Sequence, residues 1–128
     1  MLLTIPASAG EVIDKLTILD IKLARIADPV KRANVAREHA SLAAAWAAAV
    51  PEPGALGHLV ADLRQVNETL WEVEDALREH ERQGDFGAAF VELARSVYRT
   101  NDRRAALKRE INARLGSTLI EEKSYAAY

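Results

Sequence analysis

Apolar residues recur along most of this chain at spacings of three and four, the signature of helices that each bury one face. Val12, Leu16, Leu19, Leu23 and Ile26 form the first such stripe. Ser8 with Glu11 three residues on is a capping-box pattern, so the spacing predicts a helix α1 over residues 9–27. Ile13, Ile18 and Ile21 lie off the stripe, which predicts a helix covered on more than one side. Asp28-Pro29 closes α1 and opens α2, because proline disfavours helix before it yet suits a first helical position. Helix α2, predicted over 29–50, carries Val35, His39, Leu42 and Trp46 on one stripe and alanine at most remaining positions of its second half.

Pro51-Glu52-Pro53-Gly54 is the only strong break in mid-chain, and it separates two helical hairpins. Beyond it Leu56, Leu59, Leu63, Val66, Leu70, Val73 and Leu77 form a heptad seam, predicting α3 over 55–83. Gly84 suits a left-handed C-cap and Asp85 an N-cap, so the chain turns there and returns as α4 over 86–115, ended by Gly116. Helix α4 carries Phe86, Phe90, Leu93, Val97, Leu107, Ile111 and Leu115. The expected fold is all-α: an up-down-up-down four-helix bundle of two helical hairpins, a single domain over 1–128. Short extended segments flank it, Leu2–Ile5 before Pro6 and an apolar tail with Leu119, Ile120, Tyr125 and Tyr128. Both belong at one end of such a bundle, where they could pair as a ribbon.

Composition agrees with helices: 49% of residues are apolar but only 5% aromatic. With no cysteine, thiolate metal sites and disulfides are excluded. The start lacks a basic leader ahead of its apolar residues and no stretch approaches a membrane span, so the expected setting is the cytoplasm and no membrane is expected as partner. Seventeen basic against nineteen acidic side chains, net charge -2, give no field favouring nucleic acid. The basic run from Arg99 to Arg114 is interleaved with acids and lacks an aromatic ladder.

Chemistry-bearing residues are sparse. The α4 seam is interrupted between Val97 and Leu107, and folding the hairpin at Gly84-Asp85 sets Asn67 opposite Asp102. A polar layer of Asn67, Asn101 and Arg104 is therefore expected, either closing on itself to fix helix register or, with Arg99 and Trp71, lining a site for an anionic ligand. Glu11 with Asp14, and Glu68, Glu72, Glu74 and Asp75, have spacings a hard cation could use, but nearby arginines make a salt-bridged surface the expected state. No metal or cofactor is predicted. His39 and His80 sit on seam positions, and Ser41, Ser96, Ser117 and Ser124 have no glycine-rich elbow, so no catalytic set emerges. Ile18, Ile21, Trp71, Tyr98, Tyr125 and Tyr128 exceed what one small bundle is expected to cover. They predict an interface, with a second copy or another protein as partner.

The stretches IPASAGEVIDKLTILDIKLARI, VNETLWEVEDALRE, GDFGAAFVELARSVYRTNDRRAALKREIN and EEKSYAAY resemble domain of unknown function 6165, a family of small bacterial helical proteins. The resemblance implies a bacterial origin and brings no activity or site residue with it. Over Ile13-Asp14, Leu19-Asp20, Leu23 and Arg25, α1 is also similar to helical chorismate mutases, without their full set of binding arginines, lysine and glutamine. The expected function is association rather than catalysis, with an anionic-metabolite site or enzyme as the alternative.

Overall fold

The computed structural model describes residues 1–52 and 54–128; Pro53, within the predicted mid-chain break, lies outside them. Four helices follow in order, α1 Ala9–Arg25, α2 Pro29–Ala49, α3 Gly57–Gln83 and α4 Ala88–Leu115, and there is no strand among the described residues. They pack as a four-helix bundle with unequal neighbours. Helix α1 touches all three others and α3 lies along α4, whereas α2 packs along α1 only.

Local chemistry sets the helix ends. The Asp28 carboxylate accepts from the amides of Val30 and Lys31 at 2.9 and 3.0 Å, and Pro29 at the first helical position has no N–H to satisfy. Gly84 and Gly116 end α3 and α4 with φ of 68° and 64°, conformations that glycine reaches without steric cost. Only half of the expected capping box forms. Ser8 Oγ accepts from the Glu11 amide at 3.2 Å, while the Glu11 side chain reaches across to Lys108 instead. Helix α4 starts two residues later than predicted, because Asp85 caps the Gly87 amide at 3.1 Å and leaves Phe86 in the turn, edge-on to Phe90.

The core is Ile13, Leu56, Leu59, Leu63, Val66, Leu107 and Ile111, with Trp46 of α2 packed against it. The deeply buried face of α1 differs from the predicted one. Gly10, Ile13, Asp14, Thr17 and Ile21 point inward together with Leu19, whereas Val12, Leu16, Leu23 and Ile26 are half-buried. Ile21 is only 1% exposed and so belongs to the interior, not to an interface. Its mate in that expectation, Ile18, is half-buried. The terminal segments do not form the expected ribbon. They flank a shared groove of about 640 Å³ bounded by Val12, Leu42, Leu119, Ile120 and the segment Leu2–Pro6.

Candidate functional site

The site of interest is built on α1. At its first turn Gly10 lies so close to α4 that an added Cβ would sit 2.5 Å from the Lys108 carbonyl oxygen. That closeness lets the Gly10 amide donate to Asn112 Oδ1 at 2.6 Å. With the two helices in contact, side chains one and two turns further along α1 meet their partners on α3 and α4 in the bundle interior.

Asp14 stands at the centre of this arrangement and is 0% exposed. Its Oδ1 accepts from Arg104 Nε at 2.8 Å and from Asn67 Nδ2 at 2.9 Å, and its Oδ2 accepts from Arg104 Nη2 at 2.5 Å. The arginine thus grips the carboxylate with two parallel bonds, the strongest geometry available to this pair. Thr17 completes the set. Its Oγ1 donates to the Asp14 carbonyl at 2.8 Å and accepts the Asn67 amide at 2.9 Å. Burial by itself would push the Asp14 carboxyl up. The hydrogen bonds from Arg104 and Asn67 and the charges of Arg104 and Lys108 outweigh it and hold the group below its ordinary value.

One turn away Lys108, also buried, donates to Glu11 Oε2 at 2.8 Å and pairs with Glu121 Oε2 at 2.6 Å. Burial would lower this ammonium, but bonds to Glu11 and Glu121 and the charges of Glu11 and Asp14 hold it above its usual value. Lys108 therefore joins α1, α4 and the C-terminal segment through a single side chain. No buried side-chain nitrogen or oxygen lacks a hydrogen-bond partner among the described residues. The chemistry this arrangement performs internally is charge neutralisation.

Of the predicted polar layer, Asn67 and Arg104 come together, through Asp14. Asn101 and Arg99 take no part in these bonds. Asn101 lies at the rim of a separate groove with Tyr98, Asp102, Tyr125 and Tyr128, and Arg99 bonds Glu92 at 3.3 Å. Trp71 lines a groove of about 420 Å³ that also touches Ile18, Ile21, Lys22, Asn67 and Arg104, so a cleft does adjoin the network. Tyr128 packs edge-on to Tyr98 with centroids 5.0 Å apart and its hydroxyl bonds Asp102, which folds the tail back along α4. Asp14 itself was legible as half of an acidic pair with Glu11 and in the likeness to chorismate mutases, not as the partner of Asn67 and Arg104. The signal that marks it is the series Gly10, Asp14 and Thr17, small and polar residues on one helical face that continues to Ile21.

Of the predicted acidic cluster on α3, three members are ion-paired. Glu68 pairs with Arg64, Glu74 with Arg78, and Glu72 with Arg25. No group of three His, Cys, Asp or Glu is placed to hold a metal ion among the described residues. His39 bonds Asp20 across α1 and α2 at 2.8 Å, and His80 bonds the Asp85 carbonyl at 3.1 Å. Asp14, Asp20 and Arg25, which carried the likeness to chorismate mutases, are committed to three different partners, Arg104, His39 and Glu72. No helix is long and apolar enough to cross a membrane, among the described residues.

No curated protein and no solved structure is found to match the chain. A family model described as "Family of unknown function (DUF6165)" matches residues 3–128, and with nearly its whole length covered the chain belongs to that family.

Proposed function

We propose that this chain is a non-enzymatic helical module of the bacterial cytoplasm that works by protein–protein association and is itself a homodimer. The observation that carries this reading is where its exposed apolar surface lies. Leu2, Leu3 and Ile5 at one terminus, and Leu119, Ile120, Tyr125 and Tyr128 at the other, stand open to solvent. The interior polar groups are by contrast already satisfied by one another. A closed network suits a role in helix register, and exposed apolar side chains on the two terminal segments suit a partner. Sedimentation velocity at micromolar concentration tests this: a dimer or larger species is expected, and a clean monomer would remove the reading.

A second reading has one observation in its favour. The Arg104 side chain is partly open, on the cleft shared with Trp71 and Lys22, so an anionic metabolite could use it there. Thermal-shift screening with phosphorylated and carboxylated compounds distinguishes the two readings. A ligand at a hundred times its dissociation constant adds roughly 2.7 kcal/mol. A shift seen in the wild type and lost in Arg104→Ala would favour the metabolite.

A further inference from the structure

Asn67 holds one polar atom that the buried network does not use. The residue is only 4% exposed, and both hydrogens of its side-chain amide are spent, one on Asp14 Oδ1 and one on Thr17 Oγ1, each at 2.9 Å. A carboxylate only accepts, so the amide nitrogen must lie on the Asp14 side and the carbonyl oxygen Oδ1 on the other. No side chain or backbone group among the described residues donates to Oδ1. Every buried side-chain oxygen among them has a partner, so Oδ1 is not sealed in. It is reached from the cleft of about 420 Å³ that Asn67 lines.

Arg104 stands beside it, because Arg104 Nε and Asn67 Nδ2 share one oxygen of Asp14. The grip on Asp14 occupies Nε and one hydrogen of Nη2, which leaves Nη1 unused on a side chain that lines the same cleft. The head of the cleft therefore offers an acceptor next to a donor, both held in place by a buried carboxylate. Ile18, Leu70 and Trp71 supply apolar walls. The charge of Arg104 is already balanced by Asp14, whereas Lys22, on the α1 wall, has no ion pair among the described residues and adds an uncompensated positive charge. The acids of the cleft lie away from its head: Glu74 pairs with Arg78, and Asp75 is about 12 Å along α3 from Asn67.

We infer that this cleft binds a small carboxylate with a hydrogen-bond donor on its α-carbon and an apolar side chain, an α-hydroxy or α-amino acid. The inference rests on the metabolite reading above and names its ligand. The carboxylate accepts from Arg104 Nη1 and Lys22, the α-hydroxyl or α-ammonium donates to Asn67 Oδ1, and the side chain lies on Trp71 and Leu70. A phosphate dianion would set oxygen against Oδ1, and a plain alkyl carboxylate would cover it with carbon. Either leaves a desolvated acceptor unpaired, the kind of mismatch by which a polar site rejects a close analogue. The size of the cleft is within the usual range of small-molecule sites.

Isothermal titration with three acids of one carbon skeleton tests this: L-leucine, leucic acid as its α-hydroxy analogue, and isocaproate, which has no α-substituent, with inorganic phosphate alongside. At least one of the two α-substituted acids should bind at least about tenfold more tightly than isocaproate. The tighter of them identifies the donor as ammonium or hydroxyl. Trp71→Ala touches no bond of the network, and Arg104→Lys keeps a cation for Asp14 but loses the free guanidinium nitrogen. Each should remain folded by circular dichroism and weaken that binding at least about tenfold. Equal binding of the three acids, or tighter binding of phosphate, overturns the α-donor and leaves the metabolite reading standing. Binding that either folded variant leaves unchanged overturns this cleft as its place. No binding by any of the four at millimolar concentration overturns the inference, and the metabolite reading falls with it only if the wider thermal-shift screen is also blank.

Discussion

Near Asn67 and Arg104 the α3–α4 hairpin has a third helix laid along it; toward the Gly84 turn it does not. In α3 every fully buried residue lies at or before Asn67, and in α4 at or after Leu107. The seam continues through Leu70, Val73 and Leu77 on one side and Phe90, Leu93 and Val97 on the other, yet these positions are only half-buried. The two ends of one hairpin thus share a sequence pattern and differ in burial. Lengths explain it: α1 has 17 residues against 27 and 28 for α3 and α4, and its last residue, Arg25, reaches only Glu72. A heptad seam specifies which face two helices share. How dry that face becomes depends on a third element.

The sharpest break in this contrast is at Asp14. Asp14→Ala leaves Arg104 without its acceptor at the covered end and Asn67 with Thr17 alone, and removing one member of a buried ion pair typically costs about 3–5 kcal/mol. Chemical denaturation should show a loss of that size. Core truncation gives the next largest effect and measures the two ends against each other. Leu63→Ala, at a fully buried position, should cost about 2–5 kcal/mol. Leu77→Ala should cost about 1 kcal/mol, because the area it removes from water is already partly exposed. Equal losses would mean that the far end is covered by something else in solution. Hydrogen exchange should rank the amides likewise, slowest around Leu63 and Ile111 and fastest toward Gly84.

The covered end should also carry the acid sensitivity. The Asp14 carboxyl is held below its unfolded value of 3.8, so its contribution is fully present above that value and is lost as pH falls through the folded value. Denaturation midpoints should therefore fall below about pH 4 in the wild type. Asp14→Asn, less stable at neutral pH, should show a smaller fall. The smallest effect belongs to the surface. Arg25→Ala removes an exposed pair with Glu72 and should change stability by less than about 1 kcal/mol, diminishing further in salt.

What could be read from the residues follows the same division between local and long-range causes. Helix ends depend on neighbours within a turn, so Ser8, Asp28, Gly84 and Gly116 marked them to within two or three residues. The α2 stripe of Val35, His39, Leu42 and Trp46 was legible because α2 has one neighbour and one buried face. Helix α1 has three neighbours, and its innermost face is the one the apolar pattern passes over, with Gly10, Asp14 and Thr17 in it. The predicted layer captured Asn67 and Arg104 because hairpin register is arithmetic, but it lacked the carboxylate that joins them. That partner lies 90 residues from Arg104. No spacing rule within one hairpin reaches so far.

The long sequence separations bear on the order in which the protein is made. Gly10 and Asn112, 102 residues apart, bond at one end of the bundle, and Asp14 waits for an arginine 90 residues downstream. A chain emerging from the ribosome therefore finishes α1 and α2 while Asp14 is still without Arg104 and must stay hydrated. Such a half-made hairpin has no reason to settle into its final packing, since that would bury a lone charge. Synthesis of α4 both adds the last helix and neutralises the first, so the bundle closes only once nearly the whole chain is available. A nascent chain arrested before Arg104 should accordingly remain protease-sensitive throughout α1, and one released after Asn112 should not.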